Sequence, residues 1–380
     1  MSKRKLVFII NADWYFKLHW SDRAISAAKD YEVHVICPSK DPYFSKYCKD
    51  NKIEHHEWNL SRSGRNILEE VYSIFQLKRI IEAIEPDVIH SVTIKPNLYI
   101  SILKPRKTAI ALTFAGLGTL RTSSGFLGRK IIGIMKIVFN TLNHRGKVIA
   151  LFENSEDLDF LTAGRSINKN LCVRVYGAGV DLEQFSLCPI DSIDTPKVLF
   201  ASRMLKDKGL DTLIHAMKIV NKDGKICDLY VAGIVDNDSP LAYTQEEIDS
   251  MAKKGDFLWL GKRNDIPELI SSSTLVCLPT RYGEGVPRIL IESLACGRPI
   301  ITTNYGGCKD ICIHEKTGFL VEPHDINSLA SYILKLINDR KVASDMGMRG
   351  RKLVEENYSN ELIISQNMSF YSKLIQEELI

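Results

Sequence analysis

Two groups of residues in the second half of the chain have the types and spacing that chemistry needs. Glu284 and Glu292 lie within Thr280-Arg281-Tyr282-Gly283-Glu284-Gly285-Val286-Pro287 and the apolar run that follows to Gly297-Arg298-Pro299. Pro287 suits a first helical turn, Gly297 a helix stop and Pro299 the start of a strand. Glu284 therefore falls in a glycine-flanked loop, and Glu292 one to two turns into a helix. A carboxylate accepts two hydrogen bonds from vicinal hydroxyls, so a pair at different depths can hold two diols of one extended ligand. The plainer reading makes Glu284 a capping acid and Glu292 a solvated helix residue. Upstream, Ser202-Arg203-Met204-Leu205-Lys206-Asp207-Lys208-Gly209 leaves an apolar strand and opens a helix containing Leu213, Ala216, Met217 and Val220. A strand end, two spaced cations and a helix N-terminus form an anion site, because free N–H groups and positive side chains converge. Lys and Arg ahead of a helix are also often merely solvated.

The elements that must position these groups alternate along the whole chain. Strand-like runs at Leu6 to Ile10, Glu32 to Ile36, Val88 to His90, Ala109 to Phe114, Val148 to Leu151 and Val173 to Tyr176 are separated by helix-length amphipathic stretches. One such helix spans Asn66 to Ile84, with Ile67, Val71, Ile74, Ile81 and Ile84 at three- and four-residue spacings before Glu85-Pro86. The pattern restarts after a polar, proline-bearing stretch, with strands at Lys197 to Ala201, Asp228 to Ala232, Asp256 to Leu260, Leu275 to Leu278 and Pro299 to Thr303. The expectation is an α/β protein of two doubly wound, Rossmann-like domains: 1–186, a linker 187–196, and 197–358. An end helix at 359–380 is available to pack back on the N-terminal domain. In such sheets ligands bind at the carboxyl ends of the strands, and with two facing sheets the cleft between them is the expected site.

The composition suits this: 380 residues, 45% hydrophobic and 25% charged, which excludes disorder and collagen-like repeats. Net charge is uneven. In residues 1–190, 27 Lys and Arg stand against 19 Asp and Glu; in 191–380 the balance is 23 against 27. From Val88 to Phe152 there is no acidic residue, while Phe126 to Leu142 mixes basic with dense apolar residues and reads as a helix seeking an anionic membrane surface, or as a core helix with a basic outer face. Nucleic acid is disfavoured as a partner, since no aromatic stacking platform or recognition helix is evident. The apolar run after Lys5 is too short for an export signal, and no segment reaches the roughly 18 apolar residues of a span. A cytoplasmic protein, peripheral on the inner membrane face, is expected. The nine cysteines are odd in number and mostly in strand-like text, as buried free thiols would be. Cys308 and Cys312 lack partners for a zinc set, and Asp236-Asn237-Asp238 reads as a solvated turn rather than a cation site.

Taken with their neighbours, these motifs are recognisable. Residues 280–323 resemble the donor-binding segment of the GT-B-fold retaining glycosyltransferases of family 4, through Glu284, Gly285, Pro287, Leu290, Glu292, Ala295, Gly297, Pro299 and Gly318-Phe319-Leu320-Val321. Arg203, Lys208 and Gly209 resemble the family's diphosphate loop, and Gly179-Val180-Asp181 with Phe185 its domain junction. The resemblance implies a GT-B fold with the nucleotide-sugar site in the interdomain cleft. It implies that Arg203 and Lys208 hold the donor diphosphate, that Glu292 holds the ribose, and that Glu284 with Gly285 and Val286 holds the sugar. Backbone near Lys262 and Arg263 would meet the base. No metal or other cofactor is expected.

Phe152-Glu153-Asn154-Ser155-Glu156-Asp157, Gly116-Leu117-Gly118 and His90 with Lys95-Pro96 are similar to the branch that assembles capsule and O-antigen repeat units. That branch implies transfer of a hexose or N-acetylhexosamine, from a UDP-sugar by preference, to a sugar on undecaprenyl diphosphate. Asn11, His19, His90, Gly116, Gly118 and Asn154 are the acceptor-side candidates. Three departures stand out: Ala115 where many members carry a histidine, Asn11-Ala12-Asp13-Trp14 in place of a glycine-rich loop, and Trp20 after His19. The rival readings are a sugar-nucleotide epimerase of similar fold and a non-catalytic, two-lobed sugar-binding protein.

Overall fold

Short apolar runs become the cores of the central strands of two parallel sheets, and the amphipathic stretches become their crossover helices. A computed structural model describes residues 3–60, 66–117, 126–163, 166–190, 195–236, 239–281 and 283–376. The chain divides into two units, 1–179 with 360–380, and 180–359.

The first unit runs β1 (Arg4–Ile9), α1 (Asp13–His19), α2 (Ser21–Ala27), β2 (Tyr31–Cys37), α3 (Phe44–Asp50), β3 (Ile53–Glu57), α4 (Ile67–Ile84), β4 (Val88–Val92), α5 (Ile94–Leu103), β5 (Ala109–Phe114), α6 (Phe126–Asn140), β6 (Val148–Phe152), α7 (Ser155–Ala163) and β7 (Cys172–Arg174). The strands pair in parallel in the order β3-β2-β1-β4-β5-β6-β7. Both faces are covered: Val7 and Ile9 join one apolar cluster with Leu112 and Phe152, while Leu6, Phe8 and Ile10 join another with Val35 and Trp20. A strand buried on both faces has no polar alternation, which is why β1 reads as an unbroken apolar run.

Two elements depart from the sequence expectation. β3, Ile53-Glu54-His55-His56-Glu57, is an edge strand too polar for its pattern to announce. In α4 the buried stripe is Ser73, Leu77, Ile81 and Ile84, whereas Ile67 and Val71 are 79% and 60% exposed. Over those first turns Glu70 reaches inward instead, accepting from Lys95 Nζ at 2.6 Å and from the Tyr99 hydroxyl.

The second unit runs β8 (Lys197–Arg203), α8 (Leu210–Val220), β9 (Asp228–Ile234), α9 (Gln245–Lys253), β10 (Leu258–Gly261), α10 (Ile266–Ser271), β11 (Leu275–Leu278), α11 (Arg288–Ala295), β12 (Ile300–Thr303), α12 (Cys308–Ile311), β13 (Gly318–Val321), α13 (Ile326–Asn338) and α14 (Arg340–Asn357). Its parallel sheet has the order β10-β9-β8-β11-β12-β13. The last helix, α15 (Asn360–Gln376), belongs to the first unit, where Tyr371 is fully buried beside Phe8 and His90.

The boundary falls at Gly179, ahead of the expected linker 187–196. Arg298 is the reason: fully buried, its guanidinium donates to the carbonyls of Cys188 at 2.6 Å, Ser273 at 2.7 Å and Cys296 at 3.2 Å, and to that of Ser271. That fan of charge-assisted bonds fixes Cys188 to the second unit, so the described part of the polar stretch packs as structure rather than spacer. Positions 191–194 of the expected linker lie outside the described residues.

Candidate functional site

In the second sheet the strand order reverses between β8 and β11, and ligands of open α/β sheets bind outside the carboxyl ends of strands at such a point. The loops that leave these two strands are the ones carrying Arg203, Lys208 and Glu284. They interlock through backbone: Arg281 N–H donates to the Asp207 carbonyl at 2.6 Å and Thr280 Oγ1 to the same oxygen at 3.2 Å. Gly209 has φ +81°, and a Cβ there would lie 2.0 Å from the Pro279 carbonyl oxygen, so both conformation and space demand glycine.

Lys208, buried in a short 3-10 turn (Lys206–Lys208), forms an ion pair through its Nζ with a Glu284 carboxylate oxygen. The family resemblance implies that both groups meet the donor; in the structure they meet each other. Arg203, at the end of β8, donates from Nη1 to Asp236 Oδ2 at 2.9 Å. Asp236 is thus an ion-pair partner at the site rather than a solvated turn residue; Asn237 and Asp238 lie outside the described residues. Gly285 and Val286 are buried beside Glu284. Glu292, on α11, is 7% exposed and accepts from Arg288 Nε at 2.6 Å one turn earlier. Burial pushes its carboxyl above the usual range, and the Arg288 guanidinium opposes that rise. Lys262 and Arg263 follow β10 and are exposed; Arg263 donates from Nε to Asp265 Oδ1 at 2.7 Å.

A third loop, absent from the sequence reading, completes the arrangement. After β12, Gly307 N–H donates to the Glu284 carbonyl at 3.1 Å, and a Cβ on Gly307 would lie 2.0 Å from the Gly285 carbonyl oxygen. Gly306, at φ +54°, also faces the Glu284 backbone, where a Cβ would lie 3.1 Å from the carbonyl oxygen. Arg281, also unassigned, forms a two-pronged pair with Asp211 at 3.1 Å on each arm, fastening its loop to the first turn of α8. The adjacent glycines just past a strand were the signal available for the third loop. Nothing in the sequence marked Arg281.

The acceptor-side candidates do not converge in this way. His90 is wholly buried on β4, its Nδ1 2.6 Å from the Tyr371 hydroxyl and its Nε2 2.7 Å from Thr113 Oγ1. Burial drives its pKa well below the usual imidazole range, with the Arg23 charge adding to the effect. With both ring nitrogens engaged inside the core, His90 is a structural residue and leaves the acceptor set. Asn154 likewise caps α7: its Oδ1 accepts from Asp157 N–H at 2.8 Å and its Nδ2 donates to the Asp157 carboxylate at 2.7 Å. That carboxylate also takes the Leu117 N–H at 2.8 Å, just after Gly116 at φ +104°. Gly118 lies outside the described residues. Asn11 and His19 are half-buried after β1, His19 with its ring 4.5 Å from Tyr15.

At this sheet's own reversal, between β1 and β4, the unusual residue is Thr93. It follows β4 with φ +71° and ψ 164°, a conformation costing about 1–3 kcal/mol for a residue with a Cβ. The buried Oγ1 of Thr93 and Oδ1 of Asn97 make no hydrogen bond among the described residues.

Comparison with known proteins fits this geometry. A family model described as Glycosyl transferases group 1 matches residues 192–353, and one described as Glycosyl transferase 4-like matches residues 5–144. The capsular polysaccharide biosynthesis glycosyltransferase CapM of Staphylococcus aureus is 25% identical, over 99% of this chain and 99% of its own length. The N,N'-diacetylbacillosaminyl-diphospho-undecaprenol alpha-1,3-N-acetylgalactosaminyltransferase of Campylobacter jejuni is 25% identical, over 94% and 96%. Among solved structures, a glycosyltransferase from Rickettsia africae aligns with a TM-score of 0.75 at 19% identity, covering 99% of each chain. Anabaena HepE, solved with UDP and glucose, aligns at 0.76 and 17% identity, covering 97% of this chain and all of its own. At these identities the structures speak for the fold alone.

Proposed function

The chain belongs to the glycosyl transferases group 1 family of GT-B-fold glycosyltransferases, and from that premise we propose that it moves a hexose or N-acetylhexosamine from a UDP-sugar to a sugar carried on undecaprenyl diphosphate, with retention of anomeric configuration, in capsule or O-antigen assembly. The observation that carries this reading is the Lys208–Glu284 pair at the β8/β11 reversal, held by two interlocked loops. The names of the Staphylococcus and Campylobacter relatives support the polysaccharide and the lipid-linked acceptor.

In the proposed reaction the donor diphosphate lies along the loop after β8. As the sugar–phosphate bond breaks, negative charge grows on the β-phosphate, and the fixed cations Arg203 and Lys208 stabilise it more in the transition state than in the ground state. Glu284 accepts hydrogen bonds from hydroxyls of the transferred sugar and Glu292 from those of the ribose, while backbone around Lys262 and Arg263 meets the base. The incoming hydroxyl approaches on the face that the phosphate leaves, and a phosphate oxygen takes its proton. No side chain then has to be a dedicated base, and charge neutralisation runs through Arg203 and Lys208, so turnover in EDTA should match turnover in magnesium.

The test incubates purified protein with a panel of nucleotide sugars and a short-chain lipid-diphosphate-sugar acceptor, following nucleotide diphosphate release. Release that requires acceptor, with the product's anomeric proton retaining the donor configuration, is the expected result. Donor conversion without acceptor would favour an epimerase, and binding without turnover a sugar-binding protein.

A membrane-carried acceptor calls for docking at a lipid surface. No helix among the described residues is long and apolar enough to cross a membrane. On α6, Met135 and Phe139 are buried, but Ile134 and Ile137 are 59% and 69% exposed, and Lys130 is exposed beside them in the helical repeat. α4 adds exposed Ile67, Leu68, Val71, Tyr72 and Phe75. Apolar side chains beside basic ones suit an anionic bilayer surface. Salt-sensitive sedimentation with anionic vesicles is expected, weakened by Ile134→Asp and Ile137→Asp; no binding at low salt would overturn the docking reading.

A further inference from the structure

The polar edge strand of the first sheet has no part in the sugar-transfer proposal. Parallel pairing sets His34 of β2 opposite Glu54 of β3 and Ile36 opposite His56. Because alternate residues of a strand share a face, His34, Glu54 and His56 project from the same side of the sheet, with Glu32 two residues before His34. His34 Nδ1 lies 3.1 Å from His56 Nε2 and 3.4 Å from Glu54 Oε2, and His56 Nε2 lies 3.8 Å from Glu54 Oε1. We infer that this triad, His34, Glu54 and His56, is a binding site for one divalent ion of the zinc class.

Three features carry the inference. The first is spacing. Bonds of about 2.0–2.2 Å to nitrogen and carboxylate oxygen in a tetrahedron set neighbouring ligand atoms about 3.3–3.6 Å apart. His34 Nδ1 stands close to that value from His56 Nε2 and from one Glu54 oxygen, while His56 Nε2 is 3.8 Å from the other Glu54 oxygen, so a turn of the exposed Glu54 carboxylate lets a single oxygen complete the set.

The second is the proton arrangement. His34 Nε2 is 3.1 Å from Glu32 Oε1, and an ionised carboxylate only accepts, so in the neutral ring that nitrogen bears the proton and Nδ1 presents its lone pair. The lone pair faces His56 Nε2 and the Glu54 carboxylate together, and the Nε2–H of His56 is the one proton the triad has to share. Two acceptors 3.4 Å apart on an almost fully buried imidazole repel each other, and a cation between them relieves this. On metal binding the His56 proton moves from Nε2 to Nδ1 by exchange with water, and the ring stays neutral.

The third is the support behind the ligands. A carboxylate on the far nitrogen of a metal-binding histidine fixes its tautomer and raises its basicity, the relation Glu32 has to His34. His55, between the ligands in sequence, projects from the other face and is committed elsewhere, with Nε2 2.9 Å from the Cys37 carbonyl and Nδ1 2.7 Å from Ser45 Oγ. The Glu54 and Glu32 side chains are 64% and 49% exposed, so the fourth position opens to solvent and is filled by water. The bound ion clasps edge strand β3 to β2. This inference does not rest on the sugar-transfer reading.

The full-length protein, stripped by a chelator and exchanged into metal-free buffer, is titrated with zinc chloride alone, with bound metal counted after equilibrium dialysis. One equivalent at micromolar zinc is expected, together with a higher Tm. Glu54→Gln and His56→Gln, at solvent-accessible positions, should each abolish stoichiometric binding while preserving the circular dichroism spectrum. Glu32→Gln should weaken it by about 10- to 100-fold, as loss of a supporting carboxylate does. Cobalt(II) in place of zinc should give the intense visible bands of four-coordination. No saturable binding, binding that survives both Glu54→Gln and His56→Gln, or a cobalt spectrum with thiolate charge-transfer bands would each overturn the site.

Discussion

The two sheets reverse strand order in the same way, yet the loops at their reversal points are built differently. In the second unit, charged side chains stand on loops whose backbones are locked together: Gly209 against Pro279, Gly307 against Gly285, Thr280 and Arg281 on the Asp207 carbonyl. Lys208, Glu284, Arg203 and Asp236 are held in ion pairs on that frame. In the first unit the polar residues with chemical potential are turned to the core's own needs, His90 bridging Thr113 to Tyr371 and Asn154 capping α7. A site that fixes one diphosphate geometry needs preorganised charge, because stabilisation at the transition state is greatest when nothing has to move. The first unit instead spends its polar groups on closing a sheet with a helix from the far end of the chain.

The sharpest way to break this contrast is to remove the second unit's charges. Lys208→Ala, Arg203→Ala and Glu284→Ala should each lower kcat/KM by about 100- to 1,000-fold, the usual scale for deleting a group that stabilises developing charge. Thermal unfolding should shift little for Arg203→Ala, whose pair with Asp236 is partly exposed, whereas Glu284→Ala removes the carboxylate partner of the buried Lys208 charge and should lower the Tm as well, so rates are compared per folded molecule. Wild-type rates in any of the three would remove that residue from the proposed chemistry.

The next test strikes the frame rather than the charges. Gly307→Ala places a methyl where the Gly285 carbonyl oxygen lies 2.0 Å away, so the Glu284 loop must move with every charge intact. Misplacement by about 1 Å can cost about 100-fold in rate, and that loss is expected for Gly307→Ala. Unchanged turnover would mean the third loop is packing only.

These two tests also mark what was legible in the sequence. The places of Arg203, Lys208, Gly209, Glu284 and Glu292 in the fold were readable because each is tied to a backbone feature that leaves its own mark: a strand end, a left-handed glycine, a proline at a helix start. Both sheets were readable from their apolar runs, except for the four-residue edge strand β13. The edge strand β3 was not, since an edge needs only half its residues buried and Glu54, His56 and Glu57 break the run. Nor was the fate of His90, whose partner Tyr371 lies 281 positions away, nor that of Cys188, which is held by Arg298 across 110. Side-chain bonds between distant segments have no local pattern, so a polar residue in a good position looks the same whether it meets substrate or core.

His90 separates those possibilities. His90→Phe keeps the ring's volume but strands two buried hydroxyls, those of Thr113 and Tyr371, at about 1–3 kcal/mol each. Stability should fall by about 2 kcal/mol or more while kcat/KM per folded molecule stays at the wild-type value. The pH dependence adds a signature. The folded ring stays neutral while the unfolded one takes a proton near pH 6.5, so wild type loses stability as pH falls below that value, and His90→Phe lacks this slope. A selective rise in acceptor KM would return His90 to the acceptor site.

The smallest expected effect concerns Glu153, buried just after β6, where desolvation pushes its carboxyl up to about 7, with Asp157 adding to the rise and Arg23 opposing it. The folded state thus holds a proton that the unfolded state releases near the ordinary value of 4.5. Its favourable contribution is complete below pH 4.5 and is lost as pH rises through about 7, the reverse of the His90 slope. A neutral isostere removes the penalty, so Glu153→Gln should gain about 2 kcal/mol more over wild type at pH 8 than at pH 5, read from denaturant midpoints at the two pH values. An equal or smaller gain at pH 8 would mean that Glu153 is ionised in the folded protein. It would then be a buried negative charge beside the strand ends of the first sheet, and the contrast with the charged loops of the second unit would narrow at that point.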